Sequence, residues 1–172
     1  ETLDHVLKLG GRDSTEKVGL LQELVRFYFR FYKNFDLRQD EGLTNYGFGR
    51  DRIFYLDDDI YGTDNLIAFA HSLATWLRMM DFLSPTGAYM VGKTVAEEAD
   101  SLAPNRSTTV YKQFNDAFIP PDKEPLRKAV NRALTSGTRR TACPRDARVA
   151  ILADIHANLG ALEAVLARET DP

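Results

Sequence analysis

Residues 13–32, with the sequence DSTEKVGLLQELVRFYFRFY, carry the strongest helical pattern in the chain and set its fold class. Asp13 can cap a helix, and Glu16 follows it as an acid in the first turn. Apolar residues then recur every three or four positions, which is the period of a helix with one buried face. The pattern predicts a helix over about 14–33. Bulky aromatic side chains supply most of the burial in a domain of this size, so we expect the aromatic stripe to lie in the core: Phe27, Tyr28, Phe29, Phe31, Tyr32 and Phe35.

Further elements are predicted between this helix and residue 137. The run Ile-Phe-Tyr-Leu is β-branched and aromatic and is followed by three aspartates, which is typical of a short buried strand that ends in a polar turn. A long series of apolar residues at helical spacing follows Thr63, and Pro85 ends it. The predicted elements are a strand at 53–56 and helices at about 64–83, 91–102 and 123–135.

The length and composition are those of a folded protein with one domain, or one domain and a small remainder. The chain has 172 residues, against roughly 100 to 200 for a typical domain. Its 22 Lys and Arg and 25 Asp and Glu give a formal charge of −3, which implies no strong general affinity for nucleic acid. No stretch approaches the roughly 20 apolar residues that cross a membrane. Cys143 is the only cysteine, which favours a reducing, cytoplasmic compartment.

The composition changes after Leu134. Residues 135–146 are rich in Thr, Arg, Gly and Pro without apolar periodicity, and this predicts a linker at 138–147 after the mainly helical segment 1–137. Residues 148–172 then show a compact apolar strand, a polar turn and an amphipathic helix, which form a β-loop-α unit. The fold class expected for the whole chain is therefore α/β. Because the first residue is not Met and the last follows directly on a helical pattern, we expect a fragment of a longer protein.

Asp154 and His156 lie where the predicted strand of the second unit runs into its loop. Side chains at this position can turn toward a common point outside the carboxyl edge of a sheet. A carboxylate and an imidazole together suit Mn, Fe, Zn or Mg better than a metal that prefers thiolates. Asn158 is well placed to cap the helix that follows.

The segment 148–168 resembles the first strand, metal loop and first helix of calcineurin-like metallophosphoesterases, especially the bacterial small phosphodiesterase branch. The resemblance implies that Asp154 and His156 bind the first of two metals, and that a metal-activated water hydrolyses a phosphorylated small molecule or a nucleotide. Ala157 replaces the usual Gly of that motif. The family's later metal motifs do not occur before Pro172, so the resemblance also implies that these 172 residues cannot complete the site.

A second set of polar residues occurs around the predicted strand at 53–56. Asp40 stands five residues before Asn45, and Asp57 follows the strand directly. This spacing resembles the catalytic loop and metal-binding Asp of protein-kinase-like phosphotransferases. The resemblance implies that Asp40 is the base, that Asn45 and Asp57 hold a magnesium-bound nucleotide such as ATP, and that residues 1–137 are similar to a kinase C-lobe.

The chain departs from the kinase pattern at several points. Arg38 and Gln39 stand where His-Arg usually precedes the Asp, and Asp58-Asp59 replaces Phe-Gly. No Gly-rich loop with a strand lysine precedes Asp40, and the missing lobe would have to precede Glu1. The alternative interpretation is a hairpin turn with solvated acids.

Residues 87–94, GAYMVGKT, match the phosphate-binding loop pattern of nucleotide hydrolases. Such a loop follows a buried strand, whereas a predicted helix and a turn precede Gly87. We therefore predict no nucleotide cradle in this segment. His5 and His71 have no evident partner in the sequence, and we interpret both as structural.

The sequence as a whole favours a metal-dependent phosphoesterase as the parent protein, with this fragment inactive by itself. Two alternatives stay open: an ATP- and magnesium-dependent phosphotransferase that uses Asp40, Asn45 and Asp57, and a helical interaction domain without catalysis. No membrane partner is expected. The substrate, the physiological metal and the oligomeric state do not follow from the sequence.

Overall fold

A computed structural model describes residues 1–9 and 11–136 of the chain. The predicted linker at 138–147 and the strand-loop-helix unit at 148–172, with Asp154 and His156, lie outside these residues. The described part is mixed α/β and mostly helical, with two small antiparallel sheets. Its helices are α1 (Leu3–Lys8), α2 (Ser14–Phe35), α3 (Ile67–Met79), α4 (Pro85–Leu102), α5 (Arg106–Asp116) and α6 (Glu124–Thr135).

The helix α2 begins as its sequence predicts. The Asp13 side chain accepts hydrogen bonds from the backbone N–H groups of Thr15 and Glu16, and the Glu16 carboxylate accepts one from the backbone of Asp13. This reciprocal capping satisfies donors that a helix start leaves free. The aromatic stripe of α2 is buried as expected, except for Phe35, which is 49% exposed. Phe35 is the last residue of the helix, so it extends past the neighbouring elements that cover the rest of the stripe.

Two-stranded antiparallel pairs follow α2. The strand β2 (Tyr46–Gly49) pairs with β3 (Arg52–Tyr55) in a hairpin. The strand β1 (Leu37–Gln39) pairs with β4 (Ile60–Gly62), so the chain leaves β1, makes the hairpin and returns beside its starting point. A single turn of 3-10 helix, Leu43–Asn45, lies between β1 and β2. These connections place the loops on both sides of the hairpin next to each other.

Helix α4 packs against both α2 and α6. A Cβ on Gly92 would lie 3.0 Å from the Cα of Val130, so α4 and α6 approach each other at a point that only a glycine fits without movement. A Cβ on Gly87 would lie 2.8 Å from a side-chain methyl of Val18 in α2. Both glycines therefore serve helix packing.

The predicted helix at 64–83 is wrong at both ends. Asn65 and Leu66 have positive φ angles of 63° and 67°, so the helix begins only at Ile67. Leu66 is fully buried, and tertiary packing of its side chain offsets the strain of a conformation that costs a leucine free energy. At the other end, Met80 is extended and closes the helix.

Three further helices differ from their predicted extents or were not predicted. The helix expected at 91–102 begins six residues earlier, at Pro85, because the Ser84 hydroxyl accepts a hydrogen bond from the backbone N–H of Gly87. Proline is favoured in this first turn, where no N–H is required. The sequence did not predict α1 or α5. Among the described residues, no helix is long and apolar enough to cross a membrane.

Candidate functional site

Asp40 follows β1, and its own side chain shapes the loop that it begins. Asp40 Oδ1 accepts a 2.8 Å hydrogen bond from the backbone N–H of Gly42, which closes a tight Asx-type turn. The backbone N–H of Asp40 donates to the Tyr55 hydroxyl at 2.9 Å. Asp40 is half-buried, and these two hydrogen bonds hold its side chain and its backbone N–H.

Asn45 lies beside Asp40, with Gly42 between them. A Cβ on Gly42 would lie 3.1 Å from both Asp40 Oδ1 and Asn45 Nδ2, so these two atoms are separated by no more than twice that distance. The φ of Gly42 is −63°, which any residue can adopt. Gly42 is therefore suited to this position by the space that its missing side chain leaves for the two polar groups.

The hairpin brings the residue that precedes Asp57 onto Asn45. Tyr46 pairs with Tyr55 across the hairpin, and the backbone N–H of Leu56 donates a 2.8 Å hydrogen bond to the carbonyl oxygen of Asn45. Asp57 is the next residue. The segment that ends at Asn45 and the turn that begins at Asp57 are separated along the chain by the hairpin. They thus meet at the open end of that hairpin.

Asp57, Asp58 and Asp59 form an acidic turn at this end of the hairpin. Asp57 Oδ1 accepts from the backbone N–H groups of Asp58, at 2.8 Å, and Asp59, at 3.4 Å. Each of the three residues offers a carboxylate oxygen within 4.8 Å of those of the other two. Carboxylate oxygens are the ligands that Mg²⁺ and Mn²⁺ prefer. Asp57 is half-buried and its two neighbours are exposed, so the turn has the donor set of a divalent cation site open to solvent.

Tyr55 lies between the Asp40 loop and the acidic turn. Its hydroxyl donates a 2.7 Å hydrogen bond to the carbonyl oxygen of Asp59 and accepts one from the N–H of Asp40. Burial raises the pKa of Tyr55 above its ordinary value, and the negative charges of Asp57, Asp40 and Asp59 raise it further. The hydroxyl therefore keeps its proton and acts as a neutral donor.

A buried charged network fixes the residue after Asp40. Glu41 is only 5% exposed; its carboxylate accepts a 2.8 Å hydrogen bond from the Tyr28 hydroxyl and pairs with Arg38 at 3.5 Å. Arg38 Nε also lies 3.4 Å from a carboxylate oxygen of Asp64, and the indole N–H of Trp76 donates to the carbonyl oxygen of Glu41. Burial raises the pKa of Glu41, while Tyr28 and Arg38 lower it in part. The network ties the loop to α2 and α3.

Arg38 and Gln39, the two residues before Asp40, have different surroundings. Arg38 stacks over the Tyr61 ring at 4.5 Å from its centroid, so β1 and β4 are also joined through their side chains. Gln39 is fully buried, and its side-chain amide has no hydrogen-bond partner among the described residues.

A cavity of about 340 Å³ opens beside the loop between Asp40 and Asn45. Gly42, Leu43 and Thr44 of this loop line it on one side. Its other walls combine apolar and polar side chains, and an ion pair between Asp4 and Lys8 lies among them. The remaining lining residues are Glu41, Ser72, Thr75, Trp76 and Met79.

The segment 87–94 lies inside helix α4, and a helix precedes it along the chain. This placement agrees with the prediction that no strand leads into the segment. Lys93 is exposed and lies 3.8 Å from Glu97 on the same helix. The Thr94 hydroxyl donates to the carbonyl oxygen of Met90 and accepts from the Gln22 side chain. The phosphate-loop pattern therefore falls on a packed helix.

The structure places Asp40, Asn45 and Asp57 at one end of the β2–β3 hairpin, whereas Asp154 and His156 lie outside the described residues. His5 and His71 are both exposed. The sequence did not reveal Tyr55, Glu41 or Gly42 as parts of the site, because their roles depend on hydrogen bonds and contacts between distant segments. No protein-family model, curated protein or solved structure matches the chain.

Proposed function

We propose that residues 1–136 form the metal- and base-bearing part of a kinase-like phosphotransferase. One observation carries the proposal: the Asp40 loop, Asn45 and the acidic turn at Asp57 occur in the chain order of such enzymes and meet at one end of an antiparallel hairpin. The half-buried Asp57 carboxylate, beside two further acids, adds the oxygen ligands that magnesium requires.

The chemistry assigned to each residue follows from its chemical type and position. Asn45 and Asp57 would supply neutral and anionic oxygens to hold a magnesium ion, and the chemistry that such an ion would supply is neutralisation of charge on nucleotide phosphates. Asp40 is half-buried and carries a carboxylate on a loop that hydrogen bonds hold in place, so it would suit the task of orienting an acceptor hydroxyl and taking its proton. None of these residues indicates the chemical class of the molecule that would accept the phosphoryl group.

The proposed site consists of the Asp40 loop with Asn45 and the acidic turn 57–59. It does not include the glycine-rich loop that covers the nucleotide in such enzymes. No Gly-rich loop with a strand lysine precedes Asp40 in the sequence. The test is therefore cation binding, which requires only the described residues, rather than turnover.

The experiment is a titration of the 172-residue chain with Mn²⁺, followed by water-proton relaxation and by calorimetry, with and without ATP. We expect Asp57→Asn and Asn45→Ala to weaken Mn²⁺ binding by at least about tenfold, since each removes a ligand oxygen or its charge. The matched control is Asp116→Asn, which neutralises an exposed acid at the end of α5 and should leave binding unchanged. Equal binding in all variants, or none in the wild type, would contradict the proposal and favour a helical interaction domain.

A second function, phosphoester hydrolysis, is proposed for the part of the protein that begins at residue 148. Its support is the uninterrupted order, in the sequence, of a predicted strand, Asp154-x-His156, Asn158 at a predicted capping position and a predicted amphipathic helix. Asp154 and His156 would hold the first metal of a two-metal site that activates water against a phosphorus centre. Two protein ligands are fewer than such sites use, so we expect little hydrolysis by these 172 residues.

A longer chain that continues past Pro172 tests this second function. We expect that chain to hydrolyse bis-p-nitrophenyl phosphate with added Mn²⁺, and Asp154→Ala or His156→Ala to abolish turnover with the fold intact by circular dichroism. Undiminished turnover in both variants would show that the motif is only a helix-capping turn.

A further inference from the structure

We infer that Tyr55 is a positioning residue of the proposed phosphotransferase site, where its hydroxyl couples the Asp40 loop to the acidic turn 57–59. The inference rests on the proposed function and adds a residue that the sequence resemblance does not include. The single hydroxyl makes two hydrogen bonds, one to each segment. The geometry of the Asp40 loop and that of the acidic turn 57–59 therefore depend on the same oxygen atom.

The hydrogen bonds have opposite directions, and each uses a backbone group. The hydroxyl proton goes to the carbonyl oxygen of Asp59 at 2.7 Å, and a hydroxyl lone pair receives the N–H of Asp40 at 2.9 Å. Since both partners are main-chain atoms, the bonds set the path of each loop and do not use the Asp40, Asp57 or Asp59 carboxylates. An outer partner of this type orients ligands without binding the ion.

The position of the Tyr55 ring is fixed independently of the loops that its hydroxyl joins. Tyr55 is fully buried in β3, and its ring centroid lies 5.3 Å from that of its cross-strand neighbour Tyr46. Tyr46 is in turn in edge contact with Phe27 of α2. The hairpin and the long helix thus hold the hydroxyl in place, and the two loops are positioned against it.

Tyr55→Phe removes both hydrogen bonds and keeps the buried ring. We expect the Mn²⁺ dissociation constant of the 172-residue chain to rise by about tenfold, the size of change that loss of an outer partner usually causes at a metal site. We also expect faster hydrogen exchange at the Asp40 amide, because its acceptor is lost. The matched control is Tyr46→Phe, which deletes the hydroxyl of the cross-strand tyrosine and touches neither hydrogen bond.

Thermal melting gives the melting temperature of each variant. The Mn²⁺ titration and amide hydrogen exchange are then measured well below that temperature. The inference is supported if Tyr55→Phe binds Mn²⁺ more weakly while Tyr46→Phe binds it like the wild type. In Tyr55→Phe, faster hydrogen exchange should be confined to the Asp40 amide. If Asp57→Asn abolishes binding but Tyr55→Phe binds like the wild type, the inference is overturned and the proposed function stands. If Asp57→Asn binds normally, the proposed function itself fails. A Tyr46→Phe variant as impaired as Tyr55→Phe would reduce Tyr55 to a packing role and overturn the inference.

Discussion

The hydroxyl of Tyr28 donates a 2.8 Å hydrogen bond to Oε1 of Glu41, and this bond joins the middle of helix α2 to the residue that follows Asp40. Both side chains are buried, so neither partner can exchange the bond for water. Tyr28→Phe leaves a buried carboxylate oxygen without its donor. We expect the free energy of unfolding to fall by about 1 to 3 kcal/mol, measured by urea denaturation.

The control for Tyr28 is Tyr111→Phe, the same deletion at a half-buried position on α5. It should change the free energy of unfolding by no more than about 0.5 kcal/mol. An equal loss in both variants would mean that the Tyr28 effect comes from its ring environment and not from Glu41.

The buried Glu41 predicts a pH dependence of stability. Burial raises its pKa in the folded chain above the ordinary 4.5, so the folded state holds this proton more tightly than the unfolded state does. Its contribution to the free energy of unfolding is therefore most favourable below pH 4.5 and decreases as the pH rises through the raised folded value.

Glu41→Gln removes this titration. We expect the stability of the wild type relative to Glu41→Gln to be greater at pH 4 than at pH 7, as measured by urea denaturation at both values. A difference that grows with pH would show that Arg38 and Tyr28 stabilise the carboxylate more than burial penalises it.

Two glycine-to-alanine substitutions are expected to have opposite signs. The Cβ of Gly92→Ala would lie 3.0 Å from the backbone of Val130 and 3.1 Å from Ala133, so it forces α4 and α6 apart and costs about 1 to 3 kcal/mol. A Cβ on Gly19, inside α2, meets nothing within 4 Å. Gly19→Ala should stabilise the protein by about 0.5 to 1 kcal/mol through its better helix propensity. Thermal melting of both variants tests the pair, and two shifts of the same sign would contradict it.

Lys93 tests the phosphate-loop pattern directly. The segment 87–94 is helical and its lysine is exposed, so we expect Lys93→Ala to leave any binding of ATP unchanged. Isothermal titration with ATP and Mg²⁺ is the measurement. Magnesium-dependent ATP binding that is lost in Lys93→Ala would prove this prediction wrong.

The variant Gly42→Ala is expected to weaken Mn²⁺ binding at the proposed site more than it lowers the free energy of unfolding. The methyl group of Gly42→Ala would meet the flexible ends of the Asp40 and Asn45 side chains at 3.1 Å, and these ends can move. We expect weaker Mn²⁺ binding with a loss of stability below about 1 kcal/mol. Mn²⁺ titration and urea denaturation of the same sample give both quantities, and unchanged affinity would place the cation away from Asn45.

Local patterns in the sequence were sufficient for the regular elements that are determined by neighbouring residues. The capping residues and apolar period of α2 predicted its start at Ser14, and α6 begins within one residue of its predicted position. The strand predicted at 53–56 is observed at Arg52–Tyr55. These elements follow from interactions between residues a few positions apart, which a sequence displays directly.

The candidate site, like the fold, could be predicted only in part from the sequence. The sequence by itself determined which residue types were available: the spacing of Asp40, Asn45 and Asp57 was evident from their order along the chain. Only the tertiary structure decided how they are held, through the Tyr55 hydroxyl and the Tyr28–Glu41 bond, and where α3 begins, at the residue after the buried, strained Leu66. A hydrogen bond or a packing contact between distant segments forms only when the whole chain has folded, so its energy leaves no local pattern.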